Sequence, residues 1–179
     1  MNPYCNLLTL NIPPLKEGYD ITTTTTHHAI LSLDDINPEI KQVLLDLGIV
    51  VSWIELFYRK PGHVGSIHAD NLSGDFTKIN WIYQGQDSYM SWFTINENCR
   101  KKNINVTIAN TEYIKYFPNE VTYAYSASIS GPALVQVGIP HLVTNPKEDR
   151  YCLCFVLCNL QGKRLTMQEA QHLLKDYIQ

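Results

Sequence analysis

Arg150-Tyr151-Cys152-Leu153-Cys154-Phe155-Val156-Leu157 opens on a charge and then continues without another. The run is too short to cross a membrane and too apolar to face water, so it reads as a buried β-strand. Six other segments share its character: Ile49 to Tyr58, Val64 to His68, Thr77 to Tyr83, Ser88 to Thr94, Val121 to Ser126 and Ala133 to Val137. Each is rich in Val, Ile, Thr and aromatic residues, and Gly, Pro, Asn and Asp separate them. Short strands with few helices between them predict a mainly-β protein, a sandwich or barrel-like double sheet. The Thr22 to Thr26 run reads as a further strand or an extended edge.

Two helices are expected to flank this core. At Asn37-Pro38-Glu39-Ile40 a capping side chain precedes a proline suited to the first helical turn, and apolar Ile40, Val43, Leu44 and Leu47 recur until Gly48. At Thr166-Met167-Gln168-Glu169 a capping box opens a helix whose Met167, Ala170, Leu174, Tyr177 and Ile178 form one apolar stripe.

With 179 residues, no internal repeat and no linker, residues 1–179 read as a single domain. Hydrophobic residues make up 45% and charged residues 17%, which excludes a disordered chain. The 14 Lys and Arg against 17 Asp and Glu give a net charge of −3, and the one dense basic run is Arg100-Lys101-Lys102. That balance argues against a nucleic-acid partner, and no segment suits a membrane. The opening residues lack the apolar stretch of a secretory signal, and five cysteines, three of them inside one apolar run, argue against a disulfide framework. A cytoplasmic location is expected.

The chemistry-bearing residues begin with Ile67-His68-Ala69-Asp70. On extended chain His68 and Asp70 point the same way and can share one metal ion, although such a pair also occurs wherever a strand runs into a loop. His141, in Pro140-His141-Leu142-Val143, can complete a two-histidine, one-carboxylate triad on one face of an octahedral iron; the alternative is a half-buried histidine satisfied by backbone. Arg150 stands at the mouth of the buried strand, where its fork can grip a carboxylate, or pair with Glu148 or Asp149.

Taken in order, HxD, a distant His and then an Arg, each in strand-like sequence, the chain resembles the Fe(II)- and 2-oxoglutarate-dependent dioxygenases from about Val50 to Leu157. Tyr58-Arg59-Lys60-Pro61-Gly62, Lys78-Ile79-Asn80-Trp81 and Met90-Ser91-Trp92-Phe93 add to the likeness. The resemblance implies a double-stranded β-helix (jelly-roll, cupin-like). It implies His68, Asp70 and His141 as catalytic iron ligands, Arg150 on the far carboxylate of 2-oxoglutarate, and O2 as the oxidant. It also implies hydroxylation of a small-molecule or amino-acid/peptide substrate, with release of succinate and CO2. Asn80 can reach the cosubstrate or serve a cross-strand role. Either Tyr58 or Arg59 can face the pocket. Some relatives carry a Ser two residues after the Arg, where this chain has Cys152.

The competing reading is a cupin-like metal- or ligand-binding β-barrel that does not use 2-oxoglutarate. Cys152 and Cys154 are expected as small core residues, His63 as a loop residue in water, and Trp53, Trp81 and Trp92 as core anchors. His27-His28 has no partner spacing that marks a site.

Overall fold

The computed structural model describes residues 1–179 except 73, 86, 100–102, 108–110 and 146. The basic run at 100–102 therefore lies outside the described residues. Thirteen strands are present among those described: β1 (Cys5–Leu7), β2 (His28–Leu31), β3 (Ile49–Arg59), β4 (His63–Val64), β5 (His68–Ala69), β6 (Thr77–Tyr83), β7 (Tyr89–Ile95), β8 (Asn103–Val106), β9 (Glu112–Lys115), β10 (Val121–Ser128), β11 (Ala133–Gln136), β12 (His141–Asn145) and β13 (Arg150–Asn159). They form two antiparallel sheets, ordered β1-β11-β6-β13-β3-β2 and β10-β7-β12-β5-β9-β8, with β4 beside β12. The architecture is the expected mainly-β sandwich of jelly-roll, cupin-like form.

Strand alternation sorts the first sheet into two faces. Tyr151, Leu153, Phe155 and Leu157 of β13 point with Ile54 and Leu56 of β3 and Ile79 and Trp81 of β6 toward the helices. There they meet Ile40 and Leu44 of α1 (Pro38–Asp46) and Met167 and Ala170 of α2 (Met167–Leu173). Both caps form as the sequence predicts: the Asn37 side chain accepts from the Glu39 N–H, and Thr166 and Glu169 close a capping box. The opposite face of the sheet carries Cys152, Cys154, Val156 and Ile82, which pack on Met90 and Trp92 of the second sheet.

Two expectations shift. In place of a strand through Thr22 to Thr26, Asp20 accepts the Thr22 N–H and ties Ile21–Thr23 into a 3-10 turn, so pairing starts later, at His28. The stretch from Val64 to His68 is divided between β4 and β5, because the chain bends where Gly65 donates to the Val143 carbonyl at 2.8 Å.

Gly138, between β11 and β12, is packed too closely for any side chain: a Cβ there would lie 1.6 Å from the Gly74 carbonyl oxygen and 2.6 Å from the Phe76 nitrogen. Backbone must move to admit a methyl group, and the moving segment adjoins Val137, whose carbonyl accepts from the Asp70 N–H. Gly138→Ala is expected to destabilise the fold by about 3 kcal/mol. Urea unfolding checks this, and an unchanged midpoint would contradict it.

Candidate metal centre and its cavities

The register of two short strands assembles the site. His68 of β5 and His141 of β12 are direct cross-strand partners, and Asp70 follows β5 on the same face as His68. The imidazole centroids are 4.5 Å apart. Asp70 Oδ1 stands 3.3 Å from His68 Nε2 and 3.7 Å from His141 Nε2, and one ligand atom from each residue lies within 4.8 Å of the others. All three residues singled out from the sequence thus converge.

Their hydrogen bonds leave the right atoms for a cation. His68 Nδ1 lies 2.8 Å from the Ser66 carbonyl and His141 Nδ1 lies 2.9 Å from the Ile139 carbonyl. A carbonyl only accepts, so each Nδ1 carries a proton, and Nε2 is the ring nitrogen that each histidine turns toward Asp70. Burial pushes the His141 pKa down to about 4, and the charge of His68 adds to this, so the ring is neutral near pH 7. With both Nδ1 positions held by carbonyls, the two Nε2 atoms and Asp70 Oδ1 are the atoms that can meet one ion. The donor set, two imidazoles and one carboxylate, suits iron and several other divalent metals.

Lys78 of β6 was not anticipated as part of the site. Its ammonium donates to Asp70 Oδ2 and to Glu55 Oε2, each at 2.6 Å, and Glu55 Oε1 faces His28 Nε2 at 3.4 Å. Because Lys78 takes Oδ2, Asp70 Oδ1 remains for the ion. Burial opposes ionisation of Asp70, but Lys78 and the two histidines outweigh it and hold the carboxyl well below its usual range. Burial likewise opposes charge on Lys78, and Asp70 and Glu55 together raise its pKa instead. His28, set aside in the sequence, also stacks on Phe57 at 4.6 Å.

The cavity beside the triad has a volume of about 240 Å³. Arg150, Cys152 and Cys154 of β13 line it together with Asn80 of β6 and Arg59 of β3. Arg150 is 4% exposed and has no ion-pair partner among the described residues; its Nε donates to Ser88 Oγ at 2.9 Å. Glu148 and Asp149, the alternatives for Arg150, are engaged elsewhere: Glu148 accepts from the Gly85 N–H and Asp149 from the Tyr58 hydroxyl. Tyr58 therefore belongs to the outer face, stacked on Tyr151, and Arg59 is the residue that faces the cavity. Asn80 is buried and its Oδ1 has no partner among the described residues.

Other assignments move. Cys152 and Cys154 are buried as expected, yet they also form cavity wall. The hydroxyl that Cys152 cannot supply beside Arg150 comes from Ser88. His63 is half-buried in β4 and lines the cavity, where burial and the nearby Arg59 lower its pKa. Trp81 and Trp92 are core residues, whereas Trp53 borders a second cavity.

No family model matches the chain, and no curated protein matches it. A solved structure titled as Peruvianin-I, a cysteine peptidase from Thevetia peruviana latex, aligns over 90% of this chain and 93% of its own at 13% identity and a TM-score of 0.35. That likeness is too slight to bear on fold or chemistry. No helix among the described residues is long and apolar enough to cross a membrane.

Proposed function

We propose that the protein is an Fe(II)- and 2-oxoglutarate-dependent dioxygenase that hydroxylates a small-molecule or amino-acid/peptide substrate. The observation that carries this reading is a pair of guanidiniums, Arg150 and Arg59, in the same cavity wall as the triad and without a carboxylate partner among the described residues. A metal alone gives no reason to hold two cations nearby, since like charges repel and desolvating an unpaired guanidinium is costly. A dicarboxylate with one end on the ion and the other on arginine accounts for both. Lys78 does not compete for that carboxylate, being already bonded to Asp70 and Glu55.

Bound here, iron with 2-oxoglutarate and O2 would supply oxidative attack on a C–H bond, with succinate and CO2 released. The chain's own groups hold and orient. His68 Nε2, Asp70 Oδ1 and His141 Nε2 form the ligand face, and the carbonyls of Ser66 and Ile139 fix the two rings. Ser88 holds Arg150 through Nε, which leaves the terminal nitrogens for a two-pronged grip on a carboxylate. Asn80 offers an amide toward the bound acid, and Met90 and Val143 make an apolar side that limits water.

Arg150→Ala is expected to weaken 2-oxoglutarate binding about tenfold or more, with Mn(II) affinity nearly unchanged. Arg150→Lys retains part of the affinity, because the charge persists without the fork. Calorimetric titration of the Mn(II)-loaded protein, alongside succinate release from the Fe(II) form, is the test. Equal 2-oxoglutarate affinity in Arg150→Ala and the parent would favour a cupin-like metal-binding barrel instead.

A further inference from the structure

A second cavity of about 600 Å³ meets the first at Phe57, Asp70 and Lys78, which line both. Its size is that of a small-molecule site. Its far wall is built around Arg164, which the return of the chain after β13 sets in place. Asn159 Oδ1 accepts the N–H groups of Gln161 and Lys163, the Leu165 N–H donates to the Leu157 carbonyl, and Arg164 bridges to Cys158 between them. The guanidinium lies 4.8 Å from the Trp53 ring centroid and 4.6 Å from that of Phe76. Stacking of this kind immobilises the cation and leaves its N–H edge free. Among the described residues that edge donates no hydrogen bond and meets no carboxylate.

The other charges of this wall are accounted for. Glu55 and Asp70 share Lys78, and Glu112 stands exposed on β9. Arg164, half-buried, is thus the cation of this wall without a counter-ion among the described residues; its guanidinium lies over Trp53 and Phe76, and Phe57 lines the same cavity. We infer that this cavity receives the substrate acted on at the triad, and that this substrate carries a carboxylate or phosphate seated on Arg164 and a flat apolar body laid against the three rings. Asp70, common to both cavities, places such a body next to the metal ligands. The inference rests on the dioxygenase reading for its chemistry, but its recognition step needs neither metal nor 2-oxoglutarate.

The experiment follows that separation. The full chain without added metal is titrated by NMR with 3-phenylpropionate, with phenyl phosphate and, as a cationic control, with phenethylammonium. At least one anion is expected to bind, the tighter of the two identifying carboxylate or phosphate as the recognised group, while phenethylammonium binds at least about tenfold more weakly. Arg164→Gln, which keeps the stem against the rings, is expected to lose about tenfold or more of the anion affinity, with Arg164→Lys intermediate. Mn(II) at the triad should then broaden the resonances of the bound anion. The inference is overturned if neither anion binds, if the cation binds as tightly, if Arg164→Gln binds the anions as the parent does, or if bound Mn(II) leaves their resonances sharp. Failure of 2-oxoglutarate to bind, with these titrations intact, would instead count against the dioxygenase reading.

Discussion

His68→Ala is expected to lower the affinity for Mn(II) by at least about 100-fold while leaving the sandwich folded. Loss of groups that merely support a metal ligand already costs 10- to 100-fold in affinity, so loss of one of three ligands should cost at least the upper end of that range. The choice of His68 matters. Its side chain keeps 30% of its accessible surface, against 4% for His141, so its removal opens no core cavity. Asp70→Ala is a poorer test, since it also strips Lys78 of one of its two carboxylates. Electron paramagnetic resonance of free Mn(II) during titration reads the affinity directly, and circular dichroism reads the fold. A folded His68→Ala protein that binds Mn(II) within threefold of the parent would remove the triad as a metal site.

Lys78→Met should have the largest effect on stability, about 3–5 kcal/mol at pH 7, because it leaves the buried Glu55 and half-buried Asp70 carboxylates with no cation between them. The pH dependence follows from the shifts. For Glu55, burial raises the pKa, but Lys78 and His28 more than offset this and the folded value lies below the ordinary one; Asp70 is lowered as well. In the parent these groups add stability above the unfolded carboxylate range near pH 4, and the contribution is lost as pH falls through their depressed folded values. In Lys78→Met burial is no longer opposed by the ammonium, so both carboxyls prefer to be protonated. The deficit relative to the parent is therefore greatest near neutrality and narrows toward pH 4. Urea unfolding at pH 7 and pH 4.5 measures both terms. Glu55→Gln added to Lys78→Met should recover part of the loss, since it removes one of the two stranded charges. A pH-independent deficit would mean that Lys78 acts through packing alone.

The features legible in the sequence were those carried by alternation and spacing. Arg150, Cys152 and Cys154 could be placed on one face before any coordinates, and that face does line the cavity. The His68, Asp70 and His141 set was legible because the three residue types are uncommon together in strand-like sequence. Lys78 and Glu55 carried a fainter signal: each is a charge inside an otherwise apolar strand, on the parity shared by Asn80 or by Trp53 and Phe57. Arg59 could not be separated from Tyr58, because the Pro61-Gly62 turn obscures parity where the strand ends. The strands β8 and β9 are only four residues each, too short for the alternation of Asn103-Ile104-Asn105-Val106 or the single buried Ile114 to stand out from loop sequence. Arg164 was invisible for another reason. Its role depends on Trp53 and Phe76, brought to it from β3 and from the segment before β6, and no local spacing records that.

The pairing of His68 directly across from His141 also constrains how the protein comes into being. At typical synthesis rates of 5–20 residues per second, the two imidazoles emerge roughly 4 to 15 seconds apart. Until β12 docks, the nascent chain offers His68 and Asp70 alone, a weak chelate that water and cellular ligands can displace. Capture of an ion by all three residues would then be among the last events of folding and could not serve as its nucleus. Folded protein would then form without the ion, and a metal supplied later could load the triad without any need to unfold it.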